Sequence, residues 1–111
     1  HNEEAISYLL SQNEKYDIVI LGMLEDKAIE KFISKLHKDC TILACELNSE
    51  RSASAKHIFN ICKSLKLKCR TFGNVTEAIL SVKNENTLIT GSFYTVAEAR
   101  TYFQLEGYSE L

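Results

Sequence analysis

Short apolar runs, each too brief for a helix and each followed by a helical pattern, constrain this chain more than any other feature. Asp17-Ile18-Val19-Ile20-Leu21-Gly22 is continuous, rich in β-branched residues and closed by glycine. A strand buried on both faces of a sheet reads this way. Cys40-Thr41-Ile42-Leu43-Ala44-Cys45 repeats the pattern, and Leu67 to Arg70 and Thr87 to Thr90 are shorter strands. Between them the apolar residues take helical spacing. Asn2 caps a helix from Glu3 to about Gln12, built on Ala5, Ile6, Leu9 and Leu10. Asp26 to His37 carries Ile29, Phe32, Ile33 and Leu36 on one face. Ser52 or Ser54 opens a helix through Leu65, Thr71 to Asn74 is a connection, Val75 to Val82 is helical, and Val96 to Phe103 is the last helix. Strands alternating with helices predict βαβ units and a mainly parallel sheet with right-handed crossovers. Ligands of such sheets sit outside the carboxyl ends of the strands. The loop after Gly22, the loop after Cys45 and the Gly91-Ser92 turn therefore converge on one edge.

The chain has 111 residues, 45% hydrophobic and 25% charged, with a formal net charge of -2. One domain of ordinary size with a real core fits those values, so residues 1–111 read as a single domain. Lys and Arg are scattered rather than gathered into a face or arm, which argues against nucleic acid as a partner. No apolar run approaches the roughly 20 residues of a membrane span, and no signal peptide opens the chain, so the expected location is cytoplasmic. Cys40, Cys45, Cys62 and Cys69 form no C-x-x-C pair and have no histidine at zinc-ligand spacing. They read as buried free thiols. His1 is not an initiator methionine, and a helical pattern begins almost at once. The sequence thus reads as a piece of a longer protein.

Leu88-Ile89-Thr90-Gly91-Ser92-Phe93-Tyr94-Thr95-Val96-Ala97-Glu98-Ala99-Arg100 joins a buried strand to a helix through a Gly-Ser turn. The first helical N–H groups lack partners and the dipole is positive there, so such a turn suits an anion. Ser92 reads either as a plain helix cap or as a contact to a carboxylate or phosphate. Neither a G-x-G-x-x-G fingerprint nor a Walker A loop occurs. His1-Asn2-Glu3-Glu4 reads as a solvated helix start or as an imidazole placed near a phosphate or ribose. Asp26 is an adequate cap, Lys27 a surface charge or a ligand contact, and His37 and His57 ordinary surface histidines.

The Leu88–Arg100 segment closely resembles the C-terminal signature of the folylpolyglutamate synthase/dihydrofolate synthase family, amide ligases of the Mur ligase superfamily. There a strand ends in Gly-Ser-(Leu/Phe)-Tyr before a Val-Gly-Glu-(Val/Ala)-Arg-like helix, with Ala97 here replacing the usual glycine. His1-Asn2 resembles the end of that family's Asp-Gly-Ala-His-Asn motif, and Gly22-Met23-Leu24-Glu25-Asp26-Lys27 its Gly-(Met/Ala)-Leu-x-Asp-Lys loop. The three match in order and spacing across nearly the whole chain.

The resemblance implies a three-layer, Rossmann-like α/β domain with a mainly parallel sheet, as in Mur ligase C-terminal domains. It implies an ATP-dependent ligase of folate biosynthesis and one-carbon metabolism. ATP phosphorylates the carboxylate of dihydropteroate or folate, and the amine of L-glutamate then displaces phosphate from the acyl phosphate. In that family the P-loop and Mg2+ ligands lie in a larger N-terminal ATP-binding domain, absent from this sequence, over which the C-terminal domain closes. Carried over, His1 and Asn2 would contact ATP or the acyl phosphate region. Gly91, Ser92 and Tyr94 would sit near the glutamate or the phosphates. No complete catalytic set and no metal ligands are expected within these 111 residues, so the isolated chain is expected to be inactive. Two other readings remain: a Mur-type ligase domain for another amino acid, or a stand-alone α/β anion-binding module.

Overall fold

The computed structural model describes residues 16–25, 28–36 and 38–105. Its elements alternate without exception: β1 (Ile18–Leu21), α1 (Ile29–Ile33), β2 (Thr41–Cys45), α2 (Ala55–Ser64), β3 (Lys68–Phe72), α3 (Val75–Ser81), β4 (Thr87–Thr90) and α4 (Phe93–Leu105). All three strand pairings are parallel, in the order β3-β2-β1-β4. The expected α/β architecture is therefore the observed one. The helix expected at Glu3 to Gln12 lies outside the described residues.

Side-chain alternation divides the strands between two cores. Val19, Leu21, Ile42 and Ala44 face one side, where Ile29, Phe32 and Ile33 of α1 and Ala55, Ile58 and Cys62 of α2 cover them. Ile20, Leu43 and Cys45 face the other, under Val75 and Ala78 of α3 and Ala99 of α4. These are the three layers of a doubly wound sheet. The central strands are buried on both faces, hence their unbroken apolar sequence. β3 is an edge strand with exposed Lys68, Arg70 and Thr71, charged and polar groups that discourage further pairing.

Several boundaries differ from the sequence expectation, each for a local reason. Among the described residues, the helix expected over Asp26 to His37 spans Ile29–Ile33, with Asp26, Lys27 and His37 outside them. Beyond it Lys35 N donates to Phe32 O and Leu36 N to Ile33 O, tightening the chain into i→i+3 turns, while the Ser34 hydroxyl takes Lys31 O at 2.7 Å. Between the two candidate caps of α2, Ser54 does the capping, accepting from His57 N at 3.0 Å. Ser52 is instead spent in the preceding loop, where it accepts from Leu47 N. β3 runs on to Phe72, into the expected connection, because Cys45 still offers a pairing position there. α4 begins at Phe93, three residues earlier than expected, directly behind Ser92.

The α2–β3 junction is a Schellman C-cap. Leu67 N donates to Cys62 O at 2.9 Å and Lys66 N to Lys63 O at 3.1 Å, while Lys66 takes φ 61°. A lysine pays a conformational penalty in that left-handed region that glycine avoids. Lys66→Gly is expected to raise stability by up to about 1 kcal/mol, read as a higher urea midpoint with unchanged slope.

Burial, and secondarily the Glu98 carboxylate, push the Cys45 thiol from its ordinary 9.0 up to about 12. The folded protein thus holds that proton more tightly than the unfolded chain. The associated stability is fully present below pH 9 and is lost as pH rises from 9 toward 12. Urea denaturation at stepped pH is expected to show this decline, and Cys45→Ala to make it shallower.

Candidate functional site at the carboxyl edge of the sheet

The strand order reverses between β1 and β4, and their carboxyl ends form the switch point where open α/β sheets receive ligands. Here the two backbones meet directly. Gly91 has φ +116°, and a Cβ on it would lie 2.2 Å from Gly22 O and 2.8 Å from Leu21 Cδ1. Only glycine satisfies both demands. A Cβ on Gly22 would in turn lie 2.5 Å from Leu47 Cδ2.

The hydroxyls beside this contact form a directed chain. Thr95, fully buried, donates its hydroxyl proton to Gly22 O at 2.7 Å. That fixes the direction of the 3.0 Å Ser92–Thr95 contact, since Thr95 has no second proton: Ser92 donates and Thr95 Oγ1 accepts. Ser92 Oγ also accepts from Thr95 N at 3.2 Å, the bond of an N-cap. Ser92 is itself buried. Its hydroxyl is therefore held inside the protein, tying the start of α4 to the end of β1.

The loop after β2 joins the same edge. Glu98 Oε2, one turn further along α4, accepts from Asn48 N at 2.9 Å. Glu25 N donates to Arg51 O at 2.7 Å and Ala53 N to Met23 O at 2.8 Å, while Leu24 and Ser52 form an isolated bridge. The three segments expected to converge do so.

The edge is uneven in charge. Glu46 Oε2 accepts from Ala55 N at 3.1 Å, placing a carboxylate on the N-terminus of α2. At α3, Asn74 accepts from Glu77 N at 2.8 Å, and Glu77 lies in the first turn. The first turn of α4 carries no acidic residue. It presents two aromatics instead, Phe93 at 66% and Tyr94 at 44% exposure. Glu25 and His57 make an exposed contact of 3.7 Å. Between the ends of β2 and β3 lies a cavity of about 590 Å³ lined by Glu46, Lys56, Phe59, Thr71, Phe72 and Glu77 among others.

Of the site residues expected from sequence, Gly91, Ser92 and Tyr94 stand together at the start of α4. His1, Asn2, Asp26, Lys27 and His37 lie outside the described residues. Among the described residues, no group of three or more His, Cys, Asp or Glu could hold a metal ion, and no helix is long and apolar enough to cross a membrane. Sequence reasoning missed Thr95 and Glu98. The Ser-x-x-Thr spacing at a helix start was a usable signal for Thr95; Glu98 had none, because its partner is fifty residues away in the chain.

The hydroxyl chain and the glycine contact separate in their expected effects. Gly91→Ala is expected to cost at least about 2 kcal/mol, from the left-handed backbone and the collision with Gly22 O. Thr95→Val keeps the shape but leaves Gly22 O and the Ser92 proton unsatisfied, for about 1–3 kcal/mol. Urea unfolding of the two variants measures both.

No protein-family model and no curated protein matches the chain. Solved structures do. E. coli FolC in complex with DHPP and ADP superposes with a TM-score of 0.78 at 24% identity, over 97% of this chain and 28% of that one. The bifunctional folylpolyglutamate synthase/dihydrofolate synthase of Yersinia pestis CO92 gives 0.76 at 25%, over 94% and 27%. A bifunctional enzyme of the same name with Mn, AMPPNP and L-glutamate bound gives 0.71 at 26%, over 94% and 27%. The chain thus spans little more than a quarter of the length of these proteins. Over that quarter its structure matches a domain of folylpolyglutamate synthase/dihydrofolate synthase, the family that its three sequence motifs resemble.

Proposed function

We propose that this chain is the C-terminal domain of an ATP-dependent amide ligase that adds L-glutamate to dihydropteroate or folate through an acyl phosphate. The observation that carries the reading is the structural match at about a quarter identity across 94% of the chain, with the Gly91-Ser92-Phe93-Tyr94 signature at its switch point. The matched proteins carry ADP and DHPP in one case, and Mn, AMPPNP and L-glutamate in another. Those ligands are the substrates and products, or their analogues, of such a reaction.

The described residues contribute positioning. Gly91 and the buried Ser92–Thr95 hydroxyls lock the start of α4 against β1. α4 then offers its positive end, free of acidic side chains in the first turn, toward the anionic groups of glutamate or phosphate. Tyr94, partly exposed in that turn, flanks the amino acid. His1 and Asn2 are assigned to the nucleotide or acyl phosphate. Mg2+ neutralises charge on the transferring phosphoryl group in such reactions. Its ligands are assigned to the larger ATP-binding domain, as the family resemblance implies. Catalysis then needs the two domains to close on each other.

The chain alone is expected to release no phosphate from ATP in the presence of glutamate and dihydropteroate. Substituted for the matched portion of E. coli FolC, it is expected to restore glutamate-dependent release. In that chimera Tyr94→Ala is expected to raise the KM for glutamate roughly tenfold. Turnover by the isolated chain, or a Tyr94→Ala chimera with unchanged KM for glutamate, would overturn the assignment.

A further inference from the structure

Glu98 follows Tyr94 by four residues in α4. Residues at that spacing share one face of a helix, in adjacent turns. Long side chains in a helix lean back toward its amino end, which carries the Glu98 carboxylate toward the ligand edge. Its contact agrees with this: Oε2 accepts from Asn48 N at 2.9 Å, in the loop after β2. The other oxygen has no partner among the described residues. Since no buried side-chain oxygen among them lacks one, Oε1 opens to solvent. No lysine, arginine or histidine among the described residues pairs with this carboxylate. The side chain is thus a half-buried anion, fixed by one oxygen and open at the other, one turn below Tyr94. A tie to a backbone N–H needs only an acceptor, which a neutral glutamine also supplies. Keeping a charge half-buried without a cation costs stability, so the loop tie does not account for the charge.

Resting on the ligase reading above, we propose that Glu98 recognises the amino group of the incoming L-glutamate. Its open oxygen accepts a hydrogen bond from the substrate ammonium, a charge-assisted bond stronger than a neutral one. The zwitterion then lies along one face of α4. Its carboxylates turn to the positive end of the helix, where the first turn carries no acidic residue, and its ammonium turns to Glu98. Phe93 and Glu98 are five residues apart, about 7.5 Å along the axis, and the backward lean of the Glu98 side chain shortens that span to the reach of a single amino acid. Tyr94 lies on the same face between the two ends. The loop after β2 closes the opposite side, at the distance that the Asn48 bond sets. A dicarboxylic acid without the amine leaves Glu98 unpaired and brings like charge toward it, so this one side chain selects amino acids over plain diacids.

The test uses the E. coli FolC chimera with Glu98→Gln and Glu98→Ala. Glutamine keeps an acceptor for Asn48 N and removes only the charge. Both variants are expected to raise the KM for glutamate roughly tenfold, with kcat and the KM for ATP held within about twofold. Glutarate, the same diacid without the amine, is expected to inhibit the Glu98→Gln chimera at least as well as the unsubstituted one, so the preference for glutamate over glutarate collapses. A Glu98→Gln chimera with an unchanged KM for glutamate would overturn the proposal and leave Glu98 as a loop tie. Equal losses toward glutamate and ATP would overturn it too, because they report a disturbed fold rather than a lost ammonium contact. An unsubstituted chimera that releases no phosphate on addition of glutamate would overturn the ligase reading itself, and this inference with it, before any variant is compared.

Discussion

The approach of one glycine backbone to another, Gly91 onto Gly22, is the constraint on which the rest of this edge depends. It occurs where β4 is laid beside β1, the pairing that reverses the strand order. Any side chain at Gly91 would push the start of α4 away from the sheet. The Thr95 hydroxyl would then lose Gly22 O, and Ser92 its acceptor. Further along α4, Glu98 would no longer reach Asn48 N, and the loop after β2 would lose its tie. A contact that excludes one methyl group therefore organises three loops that are distant in sequence.

This close packing changes what a Gly-Ser turn does. A serine at such a turn suggests a hydroxyl offered to a ligand. Here the hydroxyl is consumed internally, and what faces outward is a helix start with aromatic neighbours. α2 and α3 begin on the same edge, but their first turns are already served by Glu46, Asn74 and Glu77. A site composed this way holds and orients.

Much of the fold was legible in the chain because burial on both faces leaves a plain mark. Ile18–Leu21 and Thr41–Cys45 can be so uniformly apolar only in a covered sheet. Thr87–Thr90 was found at its observed limits, bounded by polar residues on one side and glycine on the other. Boundaries failed where a distant partner or a local hydrogen bond decided them. Phe72 is strand because Cys45 pairs with it, and α1 gives way after Ser34 because Lys35 N and Leu36 N take i→i−3 bonds to Phe32 O and Ile33 O. At this edge, Gly91, Ser92 and Tyr94 belong to one linear motif, whereas Glu98 is tied to Asn48, fifty residues away, by a contact that no motif records.

By itself, the sequence determined the alternation of strands and helices, the parallel sheet and the residues of the core. Hydrophobic period and turn chemistry are local properties, written along the chain. Tertiary structure alone decided that β4 returns to the far side of β1, that Gly91 meets Gly22, and that the Ser92 proton points inward to Thr95. These depend on which backbones come within a methyl group's width of each other. Spacing along the chain carries no record of that distance until the sheet has closed.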